Sequence, residues 1–341
     1  MKTVFFDVDK ITRDYLEKQQ ICTGDTVLLP ESMENISQQQ YEQIKDAEII
    51  SVFVHTALKM NKDSLDRYPK LKLIATRSTG FDHIDLNYCK ERGIEVVNVP
   101  KYGEATVAEF TFGALLALAR HIIQARTDMK NNFVRMNEYI GFDLYGHTIG
   151  IIGTGAIGRH VAKLARGFGM DVLAYDLYPN EEFQRIYNIH YVGLDELYAK
   201  SDVITLHAPA TKENYHLLND EAFKKMKDGV IILNTARGSL VDPEALYRAL
   251  THGKVKGAAL DVLENEDFII HDDIILKSQD IPIDYAMNTI INARLMQMKN
   301  VLITPHIAFN SVDAVHRILH TTLENINHFC GGQVQNSVLK K

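Results

Sequence analysis

Residues 147–176 read HTIGIIGTGAIGRHVAKLARGFGMDVLAYD, and this stretch decides the fold. A β-branched run leads into Gly153-Thr154-Gly155-Ala156-Ile157-Gly158, a helical pattern follows, and a second strand candidate runs from Asp171 to Tyr175. Gly153 permits a tight turn, Gly155 lets the backbone approach a pyrophosphate, and Gly158 lets helix and strand pack closely. The helix amino terminus then offers free N–H groups and partial positive charge to phosphates. Asp176 stands 18 residues beyond Gly158, at the end of the second strand. A carboxylate there accepts both ribose hydroxyls of NAD and repels the extra phosphate of NADP. No Arg or Lys immediately follows it. The pattern predicts a dinucleotide site for NAD.

Outward from this unit, short β-branched runs alternate with helical patterns along most of the chain, which predicts parallel α/β architecture. Upstream, strands are expected at Thr3–Phe6, Thr26–Leu29, Ile49–Val54, Leu71–Ala75 and Glu95–Asn98. Downstream they are expected at Asp202–Leu206, Val230–Leu233, Gly257–Leu260 and Val301–Thr304, before a helix from about Val312 to Phe329. A long helix from Glu104 to about Met129 is apolar over more than one face, as a core or subunit-interface helix would be. Residues 265–299 are hard to read, with one helix expected near their end.

The length of 341 residues favours two domains. A formal charge of −7 argues against a nucleic-acid partner. The amino-terminal apolar run stops at Asp7, too early for a signal peptide, and Phe110–Ala119 is about half a membrane span. Cys22, Cys89 and Cys330 are far apart and form no CxxC pair, so three thiols in a reducing cytoplasm are expected. His316 and His320 share a helical face but lack a third ligand, and no metal is expected.

Six further segments accompany the glycine-rich turn: RSTGFDHID (77–85), VPKYGEATVAEFTFGALLALAR (99–120), LHAPAT (206–211), ILNTARGSLVD (232–242), AALDVLENE (258–266) and LITPHIAF (302–309). In these segments and their order the chain resembles the D-isomer-specific 2-hydroxyacid dehydrogenase family, and is most similar to its D-lactate dehydrogenase branch. The resemblance implies two Rossmann-like or flavodoxin-like domains with parallel sheets and an active-site cleft between them. A discontinuous substrate domain would take residues 1–100 and 305–341, and an NAD-binding domain 101–304.

Reducing a 2-keto acid needs a cation for the carboxylate and a proton donor for the developing alkoxide. Arg237, in a strand-end turn with Asn234, Thr235 and Gly238, suits the first task, because guanidinium grips carboxylate bidentately. His306 suits the second, because imidazole titrates near neutrality. It is one of fourteen histidines, so the histidine alone carries little weight. Glu266 would bond the other ring nitrogen, fixing the tautomer and favouring the imidazolium. By resemblance Arg237, Glu266 and His306 are the catalytic positions. Resemblance also implies that Asp261 holds the nicotinamide carboxamide and that Ala208, Pro209, Asn214, Thr235 and Ala236 line the cofactor groove beside Gly153, Gly155, Ala156, Ile157, Gly158 and Asp176. Thr79 and Gly80 would bind the substrate carboxylate through backbone amides, beside Tyr102. Phe309 would wall the pocket, as would Phe53 or His55.

Many relatives have proline after the catalytic glutamate, where this chain has Asp267. The stretch 267–300 is longer than in compact members and matches no known motif, so specificity is least legible there. The chain stops at Lys341, so the appended regulatory domain of many phosphoglycerate dehydrogenases is not expected. The expected activity is reversible hydride transfer between NADH and a small 2-keto acid, with pyruvate and D-lactate favoured, in a homodimer built on the 104–129 helix. Alternatives within the same fold are a nicotinamide-sensing corepressor and a dehydrogenase of glyoxylate, formate or phosphite.

Overall fold

Runs such as IISV, LIAT and VITL are apolar or small at every position rather than alternating, which suits strands covered on both faces. In the computed structural model these runs are central strands with every residue buried. Residues 1–19, 21, 24–53, 59–265 and 283–339 are described, in two compact units, Met1–Tyr102 with Asn310–Lys341, and Gly103–Phe309.

The first unit holds β1 (Lys2–Phe5), β2 (Asp25–Leu28), β3 (Ile49–Val52), β4 (Leu73–Thr76) and β5 (Glu95–Val97), all parallel, in the order β2-β1-β3-β4-β5. The helix Val312–Cys330 covers one face, burying Leu319, Leu323 and Ile326 against Phe5, Leu73 and Val97. Each such aliphatic contributes roughly 1.5–3 kcal/mol on full burial.

The second unit holds β6 (Thr148–Ile152), β7 (Asp171–Tyr175), β8 (His190–Tyr191), β9 (Val203–Leu206), β10 (Val230–Asn234), β11 (Val255–Leu260) and β12 (Val301–Ile303). They form a parallel sheet in the order β12-β11-β10-β9-β6-β7-β8. The order reverses between β6 and β9, and the crevice at such a switch point is where open α/β sheets bind ligands. The helix Ala156–Gly167 follows β6 and buries Gly158, Val161, Ala162 and Ala165, one face at helical spacing.

The sequence placed the strands within a residue or two of where they lie, and missed β8, only two residues long. The helix expected over Glu104–Met129 is two helices. Glu104–Ala119 is a core element that buries Val107, Ala108, Thr111, Phe112, Leu115 and Ala119. At His121 the backbone turns left-handed (φ 52°), and Ile122–Lys130 leaves at 60° with no buried residue. The freed Ala119 carbonyl accepts the Phe142 N–H at 3.1 Å. No single helix among the described residues is long and apolar enough to cross a membrane. The cysteines also depart from expectation. Cys89 is free, and burial pushes its thiol up to about 11, but Cys330 is disulfide-bonded. Its spacing carries no such signal, and Cys22 lies outside the described residues.

Candidate active site

The carboxyl ends of β6, β7, β9, β10, β11 and β12 carry the residues singled out in the second unit. At the end of β6, Gly153 has φ 94°, and a Cβ there would lie 2.7 Å from the Ala208 nitrogen at the end of β9. At Gly158 a Cβ would lie 2.0 Å from the Gly153 carbonyl oxygen, so helix and turn touch without room for a methyl group. Gly155 instead faces open space and caps the helix Ala156–Gly167 without a side-chain hydrogen bond. First-turn N–H groups with no side-chain cap are a ready anion cradle.

Asp176, beyond the end of β7, accepts the Thr154 N–H at 2.6 Å and the Thr154 hydroxyl at 2.9 Å through Oδ2, and the Tyr178 N–H at 2.9 Å through Oδ1. Burial works to raise its pKa, but the Tyr178 and Thr154 donors, with Arg159 nearby, outweigh it and hold the carboxyl below its ordinary value. The group is an ionised acceptor, as a ribose diol requires. Behind it the Tyr191 hydroxyl stands 2.8 Å from the buried Thr154 hydroxyl. Sequence reading missed this Tyr191–Thr154–Asp176 chain, because 37 residues separate Tyr191 from Thr154.

Past β9, Asn214 staples its own loop, accepting the Thr211 N–H and donating to the Pro209 carbonyl, both at 2.7 Å. Ala208 and Pro209 lie in that loop. His207 pairs Nε2 with the Thr205 hydroxyl at 2.8 Å, and its Nδ1 is buried without a hydrogen-bond partner. Burial pushes this imidazole down to about 3, so it is neutral.

After β10, the buried Asn234 side chain accepts the Ala236 N–H at 3.0 Å and donates to the Arg237 carbonyl at 2.8 Å, folding the turn that presents Arg237. Arg237 Nη1 donates to the Ala236 carbonyl at 2.8 Å, and the Thr235 hydroxyl meets that of Thr111 at 3.1 Å. After β11, Asp261 is 2% exposed and holds the turn that carries His306. Its Oδ1 accepts the Thr304 hydroxyl at 2.5 Å and the Ile307 N–H at 2.9 Å, its Oδ2 accepts the Ala308 N–H at 2.8 Å, and its carbonyl accepts the His306 N–H at 2.9 Å. Burial raises the Asp261 pKa above its usual value, against the lowering effect of those donors. His306 sits at φ 53° within this clamp. The Asp261 N–H donates to the Asn234 carbonyl at 2.9 Å, so the turns bearing Arg237 and His306 are tied through one backbone contact. Phe309 closes the segment, 3.9 Å from where a Cβ on Gly103 would be.

The other candidates belong to the first unit. The Thr79 hydroxyl donates to the Val99 carbonyl at 2.9 Å, while the carbonyls of Thr79 and Gly80 accept from Asn98 and Ser78 at 2.8 and 2.6 Å. The Tyr102 carbonyl accepts Arg317 Nε at 2.7 Å. Phe53 has the Arg77 guanidinium 5.5 Å from its ring centroid. That arginine is fully buried, donates to the Phe6 carbonyl, and is pushed down to about 10 by burial. Glu266, His55 and Asp267 lie outside the described residues. Among the described residues no three His, Cys, Asp or Glu side chains are grouped to hold a metal ion. The ring of His316 packs on Tyr15 at 5.1 Å, and His320 lies 3.4 Å from Glu324.

A parallel sheet with a glycine-rich, uncapped helix start and a charged carboxylate beyond the end of the next strand is the arrangement expected of an NAD-binding oxidoreductase domain. Residues 112–308 match the family model described as the D-isomer specific 2-hydroxyacid dehydrogenase, NAD binding domain. A 2-hydroxyacid dehydrogenase homolog of Haemophilus influenzae is 42% identical over 294 residues, covering 86% of each chain. An aromatic 2-oxoacid reductase of Clostridium sporogenes is 42% identical, covering 79% of each. The crystal structure of Aquifex aeolicus D-lactate dehydrogenase complexed with NAD and lactic acid superposes with a TM-score of 0.82 at 37% identity, covering 99% of both chains. The chain belongs to the D-isomer-specific 2-hydroxyacid dehydrogenase family and is an NAD-dependent oxidoreductase.

Proposed function

We propose that the enzyme reduces a small 2-keto acid to the D-2-hydroxy acid, with pyruvate and D-lactate as the leading pair. The observation that carries this reading is the tie between the Arg237 and His306 turns through Asn234 and Asp261. Arg237 grips the substrate carboxylate through its planar fork. His306 donates a proton to the carbonyl oxygen as the alkoxide develops, and takes it back in the oxidative direction. Glu266 orients the imidazole. Gly155 and the helix start would hold the pyrophosphate of NADH and Asp176 its adenosine ribose, and the cofactor when bound would supply the hydride for C2. Asp261 acts first through His306, and its Oδ2, with one protein donor among the described contacts, retains capacity for a carboxamide. Thr79, Gly80 and Tyr102 are the first unit's candidates for substrate contact, and Phe309 the second unit's. NADH oxidation measured against pyruvate, 2-ketobutyrate, glyoxylate, 2-ketoisocaproate and phenylpyruvate tests the reading. Highest kcat/KM for pyruvate supports it, and turnover of none of these acids overturns it. A second reading, aromatic 2-oxo acids, draws on the Clostridium sporogenes relative, and phenylpyruvate ahead of pyruvate would establish it.

We also propose that the enzyme is a homodimer. Support for the dimer moves from the buried helix Glu104–Ala119 to the segment after it. There Ile122, Ile123, Met129, Met136, Ile140 and Tyr145 are 51–79% exposed. A cavity of about 370 Å³ lies beside them, lined by Leu118, Ile123, Phe142, Met296 and Leu302 among others. A run of exposed apolar side chains of this kind is what a second copy of the chain would cover.

A further inference from the structure

The segment between Asp261 and the undescribed Glu266 carries a second acid, Glu264, whose side chain is 10% exposed and fully engaged. Its Oε1 accepts the Tyr215 hydroxyl at 2.8 Å; its Oε2 lies 2.8 Å from His216 Nε2 and accepts Asn288 Nδ2 at 3.2 Å. Its backbone carbonyl accepts Nδ2 of the fully buried Asn292 at 2.9 Å. Tyr215 and His216 come from the loop after β9, and both asparagines from the helix Ile283–Gln297. The Tyr215 ring stacks on His216 with centroids 3.9 Å apart. His216 and Asn265 both hold φ above 50°, a conformation costly for residues other than glycine. A solvated surface ion pair needs none of this.

What this cluster grips is the Arg237 turn. A Cβ on Gly238 would lie 2.1 Å from the Leu263 carbonyl carbon and 2.4 Å from the Glu264 nitrogen, so the turn is pressed directly on the Glu264 backbone. On its other flank the His216 N–H donates to the Ser239 carbonyl at 2.9 Å, and the Leu218 N–H to the Leu240 carbonyl at 3.0 Å. The Glu264–His216 contact therefore joins the two strips of backbone that hold residues 237–240 between them.

We propose that Glu264 and His216 are a positioning pair that sets the aim of the Arg237 guanidinium, with Tyr215 and Asn288 fixing the carboxylate between them. The proposal rests on the reading of Arg237 as the carboxylate-binding cation. Neither member of the pair touches substrate. A bidentate contact is sensitive to small errors of aim, so loosening the pair weakens the grip on the keto acid. That grip is present in ground state and transition state alike, so KM rises more than kcat falls.

The test uses the full-length enzyme with NADH and its best 2-keto acid. His216→Phe keeps the stacking and removes the nitrogen, while Glu264→Gln keeps the shape and removes the charge. Each is expected to raise KM about 10-fold, as loss of a hydrogen bond to a charged group does. NADH binding followed by fluorescence and the pH profile of kcat stay as in wild type. In an Arg237→Lys background the further effect of His216→Phe falls below about twofold, because the fork it aims is already gone. Unchanged KM in both variants, effects that multiply fully with Arg237→Lys, or a displaced pH profile overturns the pairing. Arg237→Lys with wild-type kinetics overturns the carboxylate reading itself, and the proposal with it. Should His216→Phe and Glu264→Gln not fold, Tyr215→Phe removes one exposed hydroxyl, with an expected KM rise of about 2–3-fold; no rise overturns the proposal.

Discussion

The backbone carbonyl of Asp261 accepts the His306 N–H at 2.9 Å while its carboxylate holds Thr304, Ile307 and Ala308. One buried side chain thus fixes the residues on both sides of the proposed acid. Asp261→Asn keeps the volume but sets an amide N–H₂ against at least one of those donors. Leaving buried donors unmet costs about 1–3 kcal/mol of stability. A misplaced His306 should lower kcat by about 10². Thermal unfolding and steady-state kinetics on one preparation check both, and a variant with wild-type kcat would show that the turn is set elsewhere.

For His306 itself, replacement by Ala should lower kcat by about 10²–10⁴, the usual worth of a positioned acid/base. NADH affinity should stay within about twofold, since the residue serves the substrate carbonyl. Comparable losses in kcat and in NADH binding would instead indicate a cofactor contact.

Asp176 should make NADH strongly preferred over NADPH, and equal kcat/KM for the two in wild type would sink the assignment. Asp176→Ala should narrow the preference by weakening NADH. Tyr191→Phe should raise the KM for NADH about 2–5-fold by releasing Thr154 from one side. The charge also bears on stability without cofactor. Because the folded pKa lies below the unfolded one, the contribution is present above the unfolded value and is lost as pH falls through the lower folded value. Chemical denaturation of the apoenzyme below about pH 4 should therefore show a flatter acid loss in Asp176→Ala than in wild type.

Assembly should follow the exposed apolar segment. Wild type is expected to scatter light as a dimer at micromolar concentration, and Ile140→Asp combined with Met136→Asp as a monomer. A wild-type monomer, or a double variant that remains dimeric, removes this surface from consideration.

The sequence was most legible where a residue type is forced by geometry. Gly153 and Gly158 announce the turn because no other residue fits against Ala208 and the Gly153 carbonyl. Asp176 follows from its place at a strand end. The Arg237 turn is legible from its neighbours Asn234, Thr235 and Gly238, whereas His306 stands out only through the family resemblance, and the structure adds how Asn234 and Asp261 tie the two turns. The break at His121 was invisible, because neither glycine nor proline marks it and the apolar pattern runs on through Ile123. The Tyr215–His216–Glu264 cluster was equally hidden. Its members read as a polar loop and an acidic run 48 residues apart, and nothing local signals a contact at that distance.

The commitment of Asp176 Oδ2 to Thr154 constrains any attempt to re-engineer coenzyme use. Replacing the carboxylate with a small apolar residue would orphan the buried Thr154 backbone N–H and leave the Thr154 hydroxyl to Tyr191 alone, so a variant adapted to a phosphorylated ribose must carry a substitute acceptor. The smallest workable redesign is a pair of changes, a neutral acceptor at 176 together with a cation beyond it, and single substitutions at 176 should trade one coenzyme away without gaining the other in full.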